Sequence, residues 1–235
     1  MYDQTVTATE IARVNSARAQ LPTPLPPLVY HTQSQIASAI DHFNNLWDAA
    51  AGRLTRALKP DEQQYITNER ALCALDFRHY WMPNYAWILN WRKQPQRFSP
   101  NIAQNIVMDV WAEDEAAGNA ILMQQLKARR LGVSTISELN VSHRYQFQQF
   151  SNCVVASADP DKSFEMAGMI KFNLDRQPWF LLPPRVNKIR NRIPAEFGYE
   201  HGQLYSTLQI EAGNQFTGVA RGAAPNVFHL SELCL

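Results

Sequence analysis

The sequence predicts an α/β protein with a helical region at its N-terminus. Short segments rich in Val and Leu, at 120–126, 153–157 and 226–235, have the length and composition of buried strands. Segments with helical spacing of apolar residues lie between them, and this alternation is typical of a sheet with crossover helices. The 235 residues, 46% of them hydrophobic, suffice for one large core and a smaller appendage.

The first part of the chain, residues 1–68, is predicted to be helical. Residues 4–20 favour a short polar helix, which the proline-rich linker at 21–28 ends. Apolar residues at helical spacing predict a helix with one apolar face over 31–58. Pro60 breaks this pattern, and residues 61–81 are interpreted as another helix.

The remaining elements are predicted in chain order. The aromatic segment 76–91 is interpreted mainly as packing of two elements around Pro83, and alternatively as an aromatic wall beside a nucleotide base. The predicted elements that follow are a helix at 103–115, a strand at 120–126, a helix from Ser134, a strand at 153–157, a helix from Pro160, an exposed strand at 204–212 and a buried strand from Asn226.

Charge and cysteine content exclude several classes of protein. The net charge of +1 creates no overall attraction to nucleic acid or acidic membranes, so such binding would need a local patch. The cysteines (Cys73, Cys153 and Cys234) are far apart in the sequence, which argues against a disulfide framework or a zinc site. No segment resembles a signal peptide or a membrane span, so a soluble intracellular protein is expected.

The chemically informative segment is the predicted turn KARRLGVST at 127–135, between a strand and a helix. The amides of a helix N-terminus bind anions, and Gly132 allows close approach of the backbone. Lys127 offers a charge for phosphates, and Ser134 offers a hydroxyl for Mg²⁺. Taken alone, a basic turn followed by Ser-Thr is more often a solvated turn and helix cap. The segment also departs from GxxxxGK[ST], because Val133 stands in the usual lysine position.

Together with its neighbours, this segment resembles the deviant Walker A motif of phage terminase large subunits. The resemblance spans 69–235 and includes the aromatic and glutamine segment before the turn, VVASADPDKSFEMAGMI, and STLQIEAGNQFTGVARGAAPNVFHLSE near the end. It implies a P-loop NTPase of RecA or ASCE type with a three-layer core. Walker A then lies at 127–135 and Walker B at 227–232.

The resemblance also implies roles for individual residues. Lys127 would be a displaced phosphate-binding lysine, Ser134 a Mg²⁺-linked hydroxyl, and Arg129 or Arg130 the arginine that acts on the γ-phosphate. Gln104 would read adenine through its side-chain amide, and Glu232 would position the attacking water. The resemblance also implies that ATP contacts Gly132, Val133 and Thr135. It implies that Mg²⁺ contacts Ser231, at the position where many P-loop ATPases have Asp.

The chain ends three residues after Glu232, so the resemblance implies an incomplete sheet without the strand expected between Walker B and Walker A. A truncated, split or partial gene product is expected, with weak or absent ATP hydrolysis. The basic segment 184–192 is either a solvated face or a contact to the DNA backbone. Its basic residues are Arg185, Lys188, Arg190 and Arg192. Arg221, outside this segment, is a further candidate for a contact to DNA.

The leading hypothesis is the ATPase region of a motor that packages double-stranded DNA, without the nuclease domain. Its implied partners are DNA, the small terminase subunit, the portal protein and further copies in a ring. Its implied location is the host cytoplasm, transiently at the procapsid portal. The alternatives are a non-catalytic remnant that binds DNA or the portal, and another P-loop translocase such as a helicase.

Overall fold

The structure is a computed structural model. It describes residues 4–21, 26–118, 123, 131–157, 159–182, 185–186, 197–201, 205–212 and 225–231. The helices are α1 Gln4–Ala19, α2 Gln33–Asn44, α3 Pro60–Leu75, a π-helical segment Phe77–Trp81, α4 Met82–Tyr85, α5 Ile102–Ala116, α6 Val133–Phe147 and α7 Pro160–Asp175. The strands are β1 Trp47–Asp48, β2 Arg53–Leu54, β3 Trp87–Leu89, β4 Pro95–Arg97, β5 Asn152–Ser157, β6 Arg185–Val186, β7 Phe197–His201, β8 Ser206–Ala212 and β9 Val227–Ser231.

The fold is mixed α/β, and its main sheet contains three parallel strands. The strand order is β6-β7-β8-β5-β9, with β5 parallel to both β8 and β9. The other two strands extend the sheet beyond β8 in antiparallel orientation, and the sequence analysis missed them. Parallel pairing of β5 requires crossover connections, and α7 packs against both β5 and β8. The α/β prediction is therefore confirmed.

Two strand predictions need correction. The strand predicted as exposed at 204–212 is the interior strand β8, and its Leu208 and Ile210 are buried. The strand predicted as buried from Asn226 is β9, which pairs only with β5 among the described strands and leaves Phe228 47% exposed. Alternation and apolar content indicate a strand, but the neighbouring strands decide its burial. The strand at 120–126 lies outside the described residues except for Met123, which is in neither helix nor strand.

The helix predicted over 31–58 is wrong beyond Asn44. Helix α2 begins with a capping box between Thr32 and Gln35, as local sequence favours. The chain then forms the β1–β2 hairpin. The carboxylate of Asp48 accepts hydrogen bonds from the N–H groups of Ala50 and Ala51 in its turn, and Gly52 adopts a φ of 61°. Local bonds of this kind compete with helix continuation.

A buried carboxylate organises the helical region. Glu69 on α3 is fully buried, and its Oε1 accepts hydrogen bonds from the hydroxyls of Tyr80, at 2.7 Å, and Tyr85, at 2.6 Å. Its Oε2 lies 2.7 Å from Nδ1 of His31. Burial and the adjacent carboxylate raise the pKa of both tyrosines far above the usual value, so both hydroxyls remain donors. The packing interpretation of the aromatic segment is confirmed for Trp81, which is also fully buried.

The buried apolar residues form two clusters. The larger joins α1, α2 and α3 to the aromatic segment, α5, the first half of α6, and Phe180 and Leu181. The smaller lies between α6, α7 and the sheet. Helix α3 spans residues 68 and 69, where the sequence analysis divided the chain, and the larger cluster contains residues from both sides. The division itself stays a prediction.

Substitution of Glu69 tests the buried carboxylate. Glu69→Ala leaves the two tyrosine hydroxyls without their acceptor, and we expect it to lower the free energy of unfolding by about 3 kcal/mol or more. Urea unfolding measures this change. Glu165→Ala is the control, since Glu165 is an exposed residue on α7 paired with Lys162. Equal stability of the two variants would contradict the assigned role of Glu69.

His143 provides a test by pH. Burial lowers the pKa of His143 to about 4, and its neutral ring donates from Nε2 to the carbonyl of Cys73 at 2.7 Å. Below about pH 6.5 the His143 ring binds a proton in the unfolded chain but stays neutral in the folded protein until the pH approaches 4. Stability is therefore lost as the pH falls from 6.5 to 4, by about 3 kcal/mol in total from this residue. Urea unfolding at several pH values should show a shallower acid loss for His143→Gln than for the unmodified chain, because the variant lacks this buried ionisable group.

Candidate functional site

Helix α6 begins directly after a left-handed glycine. Gly132 has a φ of 71° and occupies the N-cap position, where it has no side chain that could accept a hydrogen bond from the first turn. Val133 is buried, whereas Ser134 and Thr135 are partly exposed. The first N–H groups of the helix therefore lack the side-chain acceptor that an Asp, Asn, Ser or Thr cap supplies. Such an N-terminus favours an anion.

The side chains of Asn101 and Gln104 hold this glycine in place. Asn101 caps α5, and the amide of Gln104 completes a capping box by accepting from the Asn101 N–H at 2.8 Å. Nε2 of Gln104 donates to the carbonyl of Gly132 at 2.7 Å, and Nδ2 of Asn101 donates to the carbonyl of Leu131. Gln104 is only 4% exposed. A β-carbon added to Gly132 would lie 2.5 Å from Nε2 of Gln104, so a larger residue at this position would displace the Gln104 amide.

A cleft opens beside this junction. Its volume is about 400 Å³, and it lies between the β3–β4 hairpin and the start of α6. Its lining includes Trp91 of the hairpin, Phe98, Asn101 and Gln104 at the start of α5, and Gly132 and Thr135 at the start of α6. Sites for small molecules commonly have a volume of about 300–1,000 Å³. The cleft is therefore large enough for part of a nucleotide.

The first turn of α6 points to the carboxyl edge of the parallel strands. The short segment 148–151 connects α6 to β5, so helix and strand run in opposite directions. Sγ of Cys153, near the start of β5, approaches the carbonyl of Val141, and Glu138 lies one turn closer to the helix start. Ser157 and Ser231, at the ends of β5 and β9, are paired in register. Ligands of open α/β sheets bind at this edge.

Glu138 links α6 to β9, and the sequence analysis missed it. Its Oε1 lies 2.7 Å from Nδ1 of His229, and the carboxylate side chain is 2% exposed. Oε2 of Glu138, Oγ of Ser142 and the side-chain amide of Gln146 have no hydrogen-bond partner among the described residues. These residues are spaced by four and share one buried face of α6. Polar residues at a spacing of four were the available sequence signal.

Many predicted site residues lie outside the described residues. These are Lys127, Arg129, Arg130, Lys188, Arg190, Arg192, Arg221 and Glu232. Arg185 belongs to β6, the outermost strand beyond β7. The structure brings Gln104, Gly132 and Thr135 together around one cleft, and Ser231 ends the strand β9. The Asn-x-x-Gln capping signature at the start of α5 was readable in the sequence and would have predicted the contact of Gln104 to the Asn101 N–H, but not its contact to Gly132.

No protein-family model matches this sequence, and no curated protein is significantly similar to it. The terminase resemblance rests on the motifs quoted above. Among the described residues, no helix has both the length and the apolar character required to cross a bilayer. Cys73 and Cys153 are free and buried, and burial raises the pKa of the Cys153 thiol to about 11.

Alanine at Gly132 tests the junction against a matched glycine. Gly118 also has a φ of 71°, but a β-carbon there would meet nothing within 4 Å. Both substitutions carry the left-handed backbone cost of about 1–2 kcal/mol, whereas Gly132→Ala must also displace the amide of Gln104. We expect Gly132→Ala to be less stable than Gly118→Ala by at least about 1 kcal/mol in thermal or urea unfolding.

The double variant Gly132→Ala/Gln104→Ala completes this test. Removal of the Gln104 amide abolishes the collision, so the effects of the two substitutions should not add. Additive losses of stability would contradict the direct contact.

Proposed function

We propose that this chain is the ATP-binding motor region of a terminase large subunit that packages double-stranded DNA. The observation that carries this proposal is the start of α6 after left-handed Gly132, which points to the carboxyl edge of the parallel strands and lines a cleft of about 400 Å³. Amides at a helix start and a glycine that lets the backbone approach are the elements that hold phosphates in P-loop proteins. The resemblance of 127–135 to the terminase Walker A motif supports the same position.

In this proposal the phosphates of ATP lie against the N–H groups of residues 133–135. Lys127 neutralises the terminal phosphates, and Arg129 or Arg130 stabilises charge on the γ-phosphate during its transfer. Mg²⁺ prefers oxygen ligands and is commonly held by substrate phosphates together with one or two protein groups and water. The hydroxyls of Ser134 and Ser231 fit that donor set. Glu232 follows β9 directly and orients the attacking water.

The proposal extends to the partners of a packaging motor. The basic segment 184–192 includes Arg185 on the outer strand β6, and it contacts the phosphate backbone of DNA without reading bases. Arg221 contributes a further contact. Neighbouring copies in a ring, the small terminase subunit and the portal protein complete the assembly in the host cytoplasm.

A second candidate function is a non-catalytic module that binds DNA or the portal. One observation favours it: the amide of Gln104, expected to read adenine, makes hydrogen bonds to backbone groups of the protein itself. Ser231 in place of the usual acidic residue favours it as well. Nucleotide binding separates the two functions, because only the motor region binds ATP.

Titration calorimetry of the 235-residue chain with ATP, with and without Mg²⁺, tests the proposal. We expect saturable binding that Lys127→Ala weakens at least about tenfold, since a charge-assisted contact to phosphate contributes about 1.5–3 kcal/mol. Glu232→Ala should bind like the unmodified chain, because that residue acts on water. Lys171→Ala is the matched control, since Lys171 is an exposed lysine paired with Asp175 on α7. A folded sample that binds no ATP would refute the motor assignment and leave the binding module.

A further inference from the structure

The amide of Gln104 is unsuited to reading a base in this structure. Its oxygen accepts from the Asn101 N–H and its nitrogen donates to the Gly132 carbonyl, at 2.8 and 2.7 Å. Reading the edge of adenine requires the same oxygen and nitrogen to face the ligand together. Turning the amide toward a ligand would leave the Asn101 N–H without its acceptor and the Gly132 carbonyl with only the longer bond from the Ile136 N–H, at 3.4 Å, and losing such bonds is unfavourable. Gln104 is therefore a positioning residue for Gly132 and the start of α6.

Trp91 is the exposed aromatic group of the cleft. It is 83% exposed and sits on the turn of the β3–β4 hairpin. The side chain of Asn90 accepts hydrogen bonds from the N–H groups of Arg92 and Gln94 in this turn, and the Asn90 backbone bonds to Lys93 and Gln94. A turn fixed by several bonds presents its side chain with little further loss of entropy on binding.

Charge around Trp91 also suits a nucleotide. The guanidinium of Arg92 lies 4.5 Å from the centre of the Trp91 ring, over one face. The ring thus has a second face available for stacking. Arg92 and Lys93 follow Trp91 in the hairpin turn and add two positive charges next to a residue that lines the cleft, which the start of α6 also lines. The hairpin turn and the helix start face one volume of about 400 Å³.

We propose that the nucleobase stacks on Trp91 and that this stacking, without edge readout by Gln104, makes the site tolerant of the base. This inference rests on the proposed function, since it places the base of the nucleotide whose phosphates lie at α6. Stacking on an aromatic side chain accepts every base, because every base has a π face. ATP and GTP are then bound with affinities that differ by less than about threefold, since no hydrogen bond distinguishes them.

Calorimetry with ATP·Mg²⁺ and GTP·Mg²⁺ on the full chain tests this inference. Trp91→Ala should weaken both nucleotides by a similar factor, about 5- to 100-fold, which corresponds to the loss of one stacked base. Trp91→Phe should restore most of the affinity, because it keeps an aromatic face. Tyr205→Ala, which removes a 70% exposed aromatic group stacked on Phe150, is the matched control and should bind like the unmodified chain.

The variant Gln104→Leu tests whether Gln104 recognises the base. It should lower the melting temperature by loosening the Gly132 junction, while the ratio of ATP to GTP affinity stays unchanged. A preference for ATP over GTP greater than about tenfold, lost in Gln104→Leu, would overturn the inference. Binding that Lys127→Ala weakens but Trp91→Ala does not would overturn the inference and leave the proposed function standing. Absence of binding for every nucleotide would overturn both.

Discussion

The buried carboxylate of Glu69 is the constraint on which the rest of the structure depends. It fixes Tyr80 and Tyr85 by two short hydrogen bonds, and the β3–β4 hairpin follows Tyr85 after a single residue. The hairpin leads directly to Asn101, the cap of α5, which binds the loop before α6. A buried charge is stable only when its lone pairs are satisfied. The helical N-terminal part therefore determines where the start of α6 lies.

The contacts between the start of α5 and the start of α6 form the candidate site. Gln104 uses its amide to join the cap of α5 to Gly132, so a single side chain sets both the left-handed glycine and the wall of the cleft. In the proposed ATP site, the glycine at the start of α6 and the absence of edge readout have the same origin. A buried amide whose oxygen and nitrogen both bind the backbone is poorly placed to present these atoms to a ligand. The proposal therefore assigns base recognition to the exposed ring of Trp91, which also lines the cleft.

Helix α6 also carries polar groups toward the sheet. Glu138 joins His229 on β9, while Oγ of Ser142 and the amide of Gln146 are buried without a partner among the described residues. Groups of this kind reduce stability relative to an apolar core. Their position, on the helix that opens the proposed ATP site, connects that helix to the strand that precedes Glu232.

The sequence by itself determined the elements with strong local signals. Helices α3, α5, α6 and α7 and strands β5, β8 and β9 were predicted near their observed positions, because apolar periodicity, Pro60, Pro160 and short Val-rich runs act within a few residues. The left-handed cap at Gly132 also belongs to a segment already singled out. The end of α2 was misjudged, because the bonds of the Asp48 turn outweigh weak helix propensity.

Only the tertiary structure decided which residues meet. The side chains of His229 and Glu138 are in contact although 91 positions separate them in the sequence, and Gln104 donates a hydrogen bond to Gly132, 28 positions away. The antiparallel strands β6 and β7, and the position of β9 at one end of the sheet that the described strands form, depend on strand pairing, which no local pattern specifies. The sequence left an aromatic wall beside a base open for the whole segment 76–91, and only the exposure of Trp91 in the structure distinguishes it from the buried aromatic residues there. Local signals set the elements, and side-chain bonds between distant residues set the site.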